Sequence, residues 1–248
     1  MEVTVGSRIL QHPIQTEEPL HRMEYIIKPS SESLGSPNAD WEDPKWSEAE
    51  TLEITQYRWE DSGHHPPTQV RILYDDDFLA AIFRVEDQFV QALAKNFGDP
   101  VSQDSCVEFF LSPFSMDQTN AYFNFEINCG GILLLRRCSS LRERAWGREN
   151  SMLAEEDAEL VRIAHTLPNR IEAEITEPIT WAVEFHVPFN LFSRYFVDLQ
   201  KPSAGTEWKG NLYKCAAGSH PHWGSWAPIE LEKASFHAPE FFRPLRFD

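Results

Sequence analysis

Apolar and polar residues alternate with a period of two through much of this chain. Val70, Ile72 and Tyr74 alternate with Arg71 and Leu73, and Asp75-Asp76-Asp77 then breaks the run. Leu79, Ala81, Phe83 and Val85 follow, with Arg84 and Glu86 on the opposite side. A strand presents successive side chains to opposite faces, so these two segments predict a hairpin with one buried face. Further on, Val107, Phe109 and Leu111 alternate with Cys106, Glu108 and Phe110. Phe123, Phe125 and Ile127 alternate with Tyr122, Asn124, Glu126 and Asn128, and Cys129-Gly130-Gly131 turns the chain into an apolar strand at 132–135. Ile171, Ala173 and Ile175, and then Trp181, Val183, Phe185 and Val187, repeat the pattern.

So many short runs of period two predict antiparallel strands, each with one buried face. Helical periodicity is scarce. A short helix is expected at Pro188 to Tyr195, where Pro188 suits a first turn, and a second somewhere in Arg142 to Asp157. The fold class expected is all-β: a two-sheet antiparallel β-sandwich, jelly-roll-like, with one or two short helices. We expect one domain over 1–248. Residues 1–47 should form an irregular N-terminal arm packed on or near it, since Pro29, Pro37 and Pro44 and many turn formers punctuate the part from residue 29 onward.

A formal net charge of −17, from 39 acidic against 22 basic residues, changes the picture of partners. Such a surface repels phosphate backbones and anionic lipid, so neither nucleic acid nor membrane is an expected partner, while neutral ligands and cations remain open. The N-terminus has no apolar run long enough for a signal-peptide core, and no stretch approaches a membrane span, so a cytoplasmic location is expected. Cys106, Cys129, Cys138 and Cys215 show no Cys-x-x-Cys spacing. Free thiols are the expected state, with a Cys106–Cys129 disulfide as the alternative if those residues lie on neighbouring strands.

Several segments together resemble a known family. QVRILYDDDFLAAIFRVED is similar to the paired strands that begin the core of family 9-like carbohydrate-binding modules. SQDSCVEFFLSP followed by AYFNFEINCGGILLL resembles their most recognisable block, and TWAVEFHVPFNLF resembles the strand-to-helix segment after it. GNLYKCAAGSHPHWGSWAPI, closing on FHAPEFFRPLRF, resembles their final segment. The likeness runs from about residue 50 to the end and is to stand-alone forms among the DOMON-like β-sandwiches. It implies a non-catalytic module that binds a mono- or oligosaccharide, with a ring stacked between tryptophans.

A pyranose offers an apolar CH face and a rim of hydroxyls, so a site needs flat rings and directional polar groups. Trp223 and Trp226, in the Gly- and Pro-punctuated HPHWGSWAP, read as loop tryptophans, each either facing a ligand or plugging the core. Trp59, ending the polar-rich strand read in QYRWEDSGHH, is a third ring candidate. Trp181 keeps register with Val183 and Phe185 and reads as core; Trp41, Trp46, Trp146 and Trp208 stand undecided. Arg71, Arg84, Glu108, Asn124 and Glu126 oppose the apolar faces of their strands. If those strands share a sheet, they form a polar face with Tyr122 and Asn128 at its margin, suited to adjacent hydroxyls. Otherwise they are the solvated side of a sheet. Phe110, Leu73 and Ile82 lie on the same side, which implies that a loop or a ligand covers it.

No metal is expected at the histidine pairs, His64-His65 and His220/His222, because neither comes with a cysteine or carboxylate at zinc spacing. A structural calcium at Asp75-Asp76-Asp77 would suit the family, although such a turn is commonly just solvated. Two other functions stay open. Glu108 and Glu126 could serve a glycoside hydrolase if register sets them opposite each other, and an interaction scaffold could keep the sandwich without the sugar site. The sequence leaves oligomeric state open.

Overall fold

The computed structural model describes residues 23–59, 61–114, 121–138, 151–196 and 199–248. Trp146, residues 1–22 of the arm and residues 142–150 of the expected second helix lie outside the described residues. The strands are β1 (Tyr25–Pro29), β2 (Leu52–Ile54), β3 (Thr68–Tyr74), β4 (Phe78–Asp87), β5 (Val90–Ala92), β6 (Cys106–Ser112), β7 (Tyr122–Asn128) and β8 (Leu133–Cys138). They continue with β9 (Ser151–Met152), β10 (Arg162–His165), β11 (Ile171–Ile175), β12 (Ile179–Pro188), β13 (Glu207–Ala216), β14 (His222–Ser225) and β15 (Arg243–Phe247). Helix α1 (Glu155–Ala158) and helix α2 (Phe189–Tyr195) complete the regular elements, with three short 3-10 turns. Among the described residues no helix is long and apolar enough to cross a membrane, which says nothing of a β-barrel.

The strands make the two layers of a sandwich. One sheet runs β10-β12-β4-β3 with β2 added to β3, and the other runs β15-β13-β6-β7-β8-β9 with β14 added to β13. β1 lies between β3 and β15 and is parallel to both, so it joins the layers into one 13-stranded sheet. Two expectations change here: pairing is not antiparallel throughout, and part of the segment read as an irregular arm is a strand. β5 and β11 form a separate two-stranded sheet.

Period two is what buries one face of each strand. From the first layer Phe83 and Phe185, and from the second Phe125, meet in the core, with ring centroids 6.2 Å apart for both Phe83–Phe185 and Phe125–Phe185. Each such ring is fully buried and contributes about 1.5–3 kcal/mol by leaving water. Helix α2 begins directly after Pro188 and sets Phe192 against Phe123 and Trp208, each at 5.2 Å. The second expected helix is reduced, in the described residues, to the four-residue α1 preceded by β9.

The turn at 129–131 fixes how β7 meets β8. Asn128 Oδ1 accepts from Gly130 N (3.1 Å) and Ile132 N (2.9 Å), and Gly131 has φ +83°. A side chain at Gly131 would also strike the His165 ring at 2.3 Å, so glycine is required twice over.

Residues of the arm cover the outer face of the first sheet. Leu34 and Trp46 bury Leu73, Ala80 and Ile82, which is the cover implied by the apolar side chains on that side. Glu184, fully buried on β12, holds the arm in place. It accepts from Asn38 N (3.0 Å) and Ala39 N (2.8 Å), lies 2.8 Å from Lys45 Nζ, and has His186 Nε2 at 2.7 Å. Burial pushes the Glu184 carboxyl up, but these donors outweigh it and hold the group below the usual carboxylate range.

Candidate functional site

The outer face of the second sheet gathers the chemistry. Register sets three rows across β14, β13, β6, β7 and β8. Trp223, Cys215, Cys106 and Asn128 form the first, and Ser225, Tyr213, Glu108, Glu126 and Leu134 the second. Asn211, Phe110, Asn124 and Arg136 form the third. Residues paired directly across antiparallel strands share a face. Strands lie about 4.8 Å apart, so roughly 19 Å separates β14 from β8. Trp223 and Arg136 therefore stand too far apart to hold one sugar ring together.

Part of this face is roofed by the chain between Ile229 and Phe242. Phe236 stacks on Tyr213 at 4.1 Å, Phe242 meets Tyr122 edge-on at 5.2 Å, and His237 lies 5.1 Å from Phe110. Trp59 joins the roof, its ring 6.0 Å from Phe236 and its Nε1 donating to Leu231 O at 2.9 Å. Trp59 and Trp223 both stay partly exposed within this apolar cluster.

Beneath lies an unusual set of polar groups. Asn124 is fully buried and donates to Glu126 Oε1 at 2.8 Å, yet its Oδ1 finds no hydrogen-bond partner among the described residues. Burial raises the Glu126 carboxyl above its usual range, against the opposing pull of Asn124 and Arg136. Burial drives Glu108 well above it, with Cys215 and Glu126 adding to the effect. Cys215 Sγ donates to Glu108 Oε1 at 3.1 Å.

Of the residues singled out from sequence, Trp59, Glu108, Asn124, Glu126, Asn128 and Trp223 come to this face. Arg71 and Arg84 do not, because β3 and β4 belong to the other sheet. Arg71 is spent on the arm, donating to Thr51 Oγ1 and Trp41 O (both 3.0 Å) and lying over the Trp41 ring at 4.2 Å. Arg84 bonds Glu86 (2.8 Å) and Gln69 (3.2 Å), and lines a separate hollow of about 370 Å³ with Tyr57 and His65. Tyr122 is on the face but buried under the roof, with its hydroxyl 2.8 Å from His237 Nδ1. Trp226 is buried in the core between the sheets. The segment holding Trp223 is the strand β14, not a loop, since pairing with β13 satisfies its backbone and makes its residues alternate. Trp59 belongs to no strand; nearby only Gln56 makes a bridge, to Ser225.

A buried ion network anchors β14. Lys214 Nζ lies 2.9 Å from His222 Nε2 and 3.4 Å from Asp87. Asp87 also accepts from Trp181 Nε1 (3.0 Å) and has His64 Nε2 at 2.8 Å. His222 Nδ1 is 2.8 Å from His220 O. With one ring nitrogen facing a carbonyl and the other an ammonium, the imidazole is neutral. Burial, then Lys214, lowers its pKa to about 3.

These contacts bear on the metal candidates too. Both His222 nitrogens are engaged, and His220 stacks on Phe89 at 3.6 Å, so the two do not converge. His64 faces Asp87 while His65 faces Asp61. In the Asp75–Asp77 turn, Asp75 accepts from the backbone N–H groups of Leu34, Asp77 and Phe78, and Asp76 pairs with Lys201. Asp75 is thus taken up by backbone donors, while Asp76 and Asp77 are exposed. Cys106, Cys129 and Cys215 are free thiols, and Cys106 stands opposite Asn128, not Cys129.

Sequence reasoning missed Cys106, Cys215 and Arg136. Cys106 shares the parity of Glu108 and Arg136 that of Leu134, a signal within each strand. That Cys215 meets Cys106 depends on the β6–β13 pairing, which no local pattern encodes.

The model of carbohydrate-binding family 9 matches residues 45–247. Among curated protein sequences no relative matches. A provisionally assigned carbohydrate-binding protein from Bacteroides uniformis superposes with a TM-score of 0.79 at 27% identity, over 91% of this chain and 99% of that one. A family 9 module of Caldicellulosiruptor kristjanssonii in complex with glucose gives 0.59 at 15% identity, over 91% and 96% of the two chains. The complex with cellotriose gives 0.58 at 14%, over 91% and 93%. Since the family match spans every strand from β2 to β15, the chain belongs to carbohydrate-binding family 9.

Proposed function

We propose that this chain binds a sugar without cleaving it, on the outer face of the second sheet. Trp223 and Trp59 supply the rings, and Glu126 and Asn124 the hydroxyl partners. The observation that carries this reading is the Oδ1 of fully buried Asn124, unpartnered among the described residues and set beside Glu126 on a face where Trp59 and Trp223 stay partly exposed. A buried carbonyl oxygen without a donor costs about 1–3 kcal/mol, which a ligand hydroxyl would recover. The glucose and cellotriose complexes of the Caldicellulosiruptor modules support a pyranose ligand. The test is a panel of mono- and oligosaccharides read by tryptophan fluorescence and calorimetry, with W223A and W59A expected to lose the signal and R84A to keep it. Loss in R84A alone would move the site to the hollow that Arg84 lines.

One observation favours a hydrolase: Glu108 and Glu126 are direct partners across β6 and β7. Retaining glycosidases hold their two carboxyls about 5–5.5 Å apart. Their nucleophile must be ionised, however, and burial drives both carboxyls here toward the neutral form. Binding without turnover is the better reading.

A further inference from the structure

Cys106, Glu108 and Cys215 are all buried, and their Sγ and carboxylate oxygen atoms lie within 4.8 Å of one another. Cys106 and Cys215 face each other directly across β6 and β13, and Glu108 is two residues along β6 on the same face. The backbone therefore fixes all three donors, since neighbouring strands and a period of two leave them little freedom. Glu108 is 3% exposed, and among the described residues its one hydrogen bond comes from the Cys215 thiol. Lys214, the cation next in sequence, points to the opposite face, toward Asp87 and His222.

From this geometry we propose that Cys106, Glu108 and Cys215 form a binding site for a thiophilic divalent ion of the zinc class. Two sulfurs and one carboxylate are a donor set for zinc, and sulfur excludes calcium and magnesium, which take oxygen ligands. Donors around one tetrahedral zinc lie roughly 3.4–3.8 Å apart, given metal–ligand lengths of about 2.0–2.3 Å. Cys215 Sγ and Glu108 Oε1, at 3.1 Å, would open by a few tenths of an ångström, and no pair, all being within 4.8 Å, needs to close by more than about 1.4 Å. Three protein donors leave the fourth tetrahedral position to water. Binding releases the thiol protons, so affinity rises with pH. The site ties β13, which carries Trp223 through β14, to β6, and it stands independently of the sugar reading.

The experiment uses the full chain with its thiols reduced. Cobalt(II) as a probe should give thiolate-to-metal charge-transfer absorption and the intense visible bands of a tetrahedral site. Zinc should bind at one equivalent against a chromophoric chelator and reverse the cobalt spectrum. C106S and C215S should each lose the charge-transfer bands and the bound equivalent. C129S, which removes a buried thiol outside the cluster, should keep both, and circular dichroism reports whether each variant folds. E108Q should retain thiolate bands while zinc binds more weakly. No equivalent bound by the folded wild type would overturn the proposal. So would undiminished binding in folded C106S and C215S, or a count of two free thiols that reveals a Cys106–Cys215 disulfide.

Discussion

Lys214 places its ammonium nitrogen 2.9 Å from His222 Nε2, so two paired strands, β13 and β14, are joined by a buried contact that requires a neutral imidazole. The folded pKa of His222 is about 3, against about 6.5 unfolded. As pH falls below 6.5 the unfolded chain takes up a proton that the folded chain refuses. Stability then drops by about 1.4 kcal/mol per pH unit for this one group. Asp87, held below its usual range, acts in the same direction: its contribution is present above about pH 4 and is lost as pH falls further. Glu108 and Glu126, raised in the folded chain, act in the opposite sense, so the test is a difference: in denaturant titrations from pH 7 to pH 4, H222Q should lower the slope of stability against pH by about one proton relative to wild type. An unchanged slope in H222Q would assign the acid sensitivity elsewhere.

Glu184 is the clasp of the arm. E184Q keeps the shape but removes the charge that faces Lys45 and His186. Breaking one partner of a buried charged network costs about 3–5 kcal/mol. A fall of that size in unfolding free energy is expected, together with proteolysis within residues 30–49 that spares the sheets. Stability within 1 kcal/mol of wild type would mean that Leu34 and Trp46 hold the arm by packing alone.

In the core, Phe125 packs on Phe185 between the layers, and F125A is expected to cost about 3–5 kcal/mol, read from urea denaturation. The substitution removes a ring that no neighbour can replace, so a smaller loss would mean that the core collapses into the cavity.

Glu108 and Glu126, though opposite each other, are expected to support no hydrolysis. Aryl-glycosides incubated with the protein should show no turnover above buffer across pH 4 to 8. Turnover that disappears in E126Q would make the chain a glycosidase.

Much of the fold was legible because its signal is local. Phe83, Phe109, Phe125 and Phe185 each announce a buried face within five residues of sequence, and each is in the core. The site was less legible because it depends on which strands become neighbours. Arg84 and Asn124 carry the same alternating signature, yet one lies on the first sheet and the other on the second. The parallel insertion of β1 escaped notice because its few residues follow a stretch without periodicity and precede proline-rich chain. Trp223 and Trp226 differ by three residues, an odd offset that sends one ring outward and the other into the core. Reading the segment as a loop hid that difference.

The central claim is that the outer face of the second sheet binds a sugar, with Trp223 and Trp59 as its rings and Glu126 and Asn124 as polar partners farther along the face. Isothermal titration of the wild type and W223A with glucose and cello-oligosaccharides tests it most directly. Saturable heat in the wild type, absent in a folded W223A, is the result expected. Equal binding by both proteins, or none by the wild type across the panel at millimolar sugar, would contradict it.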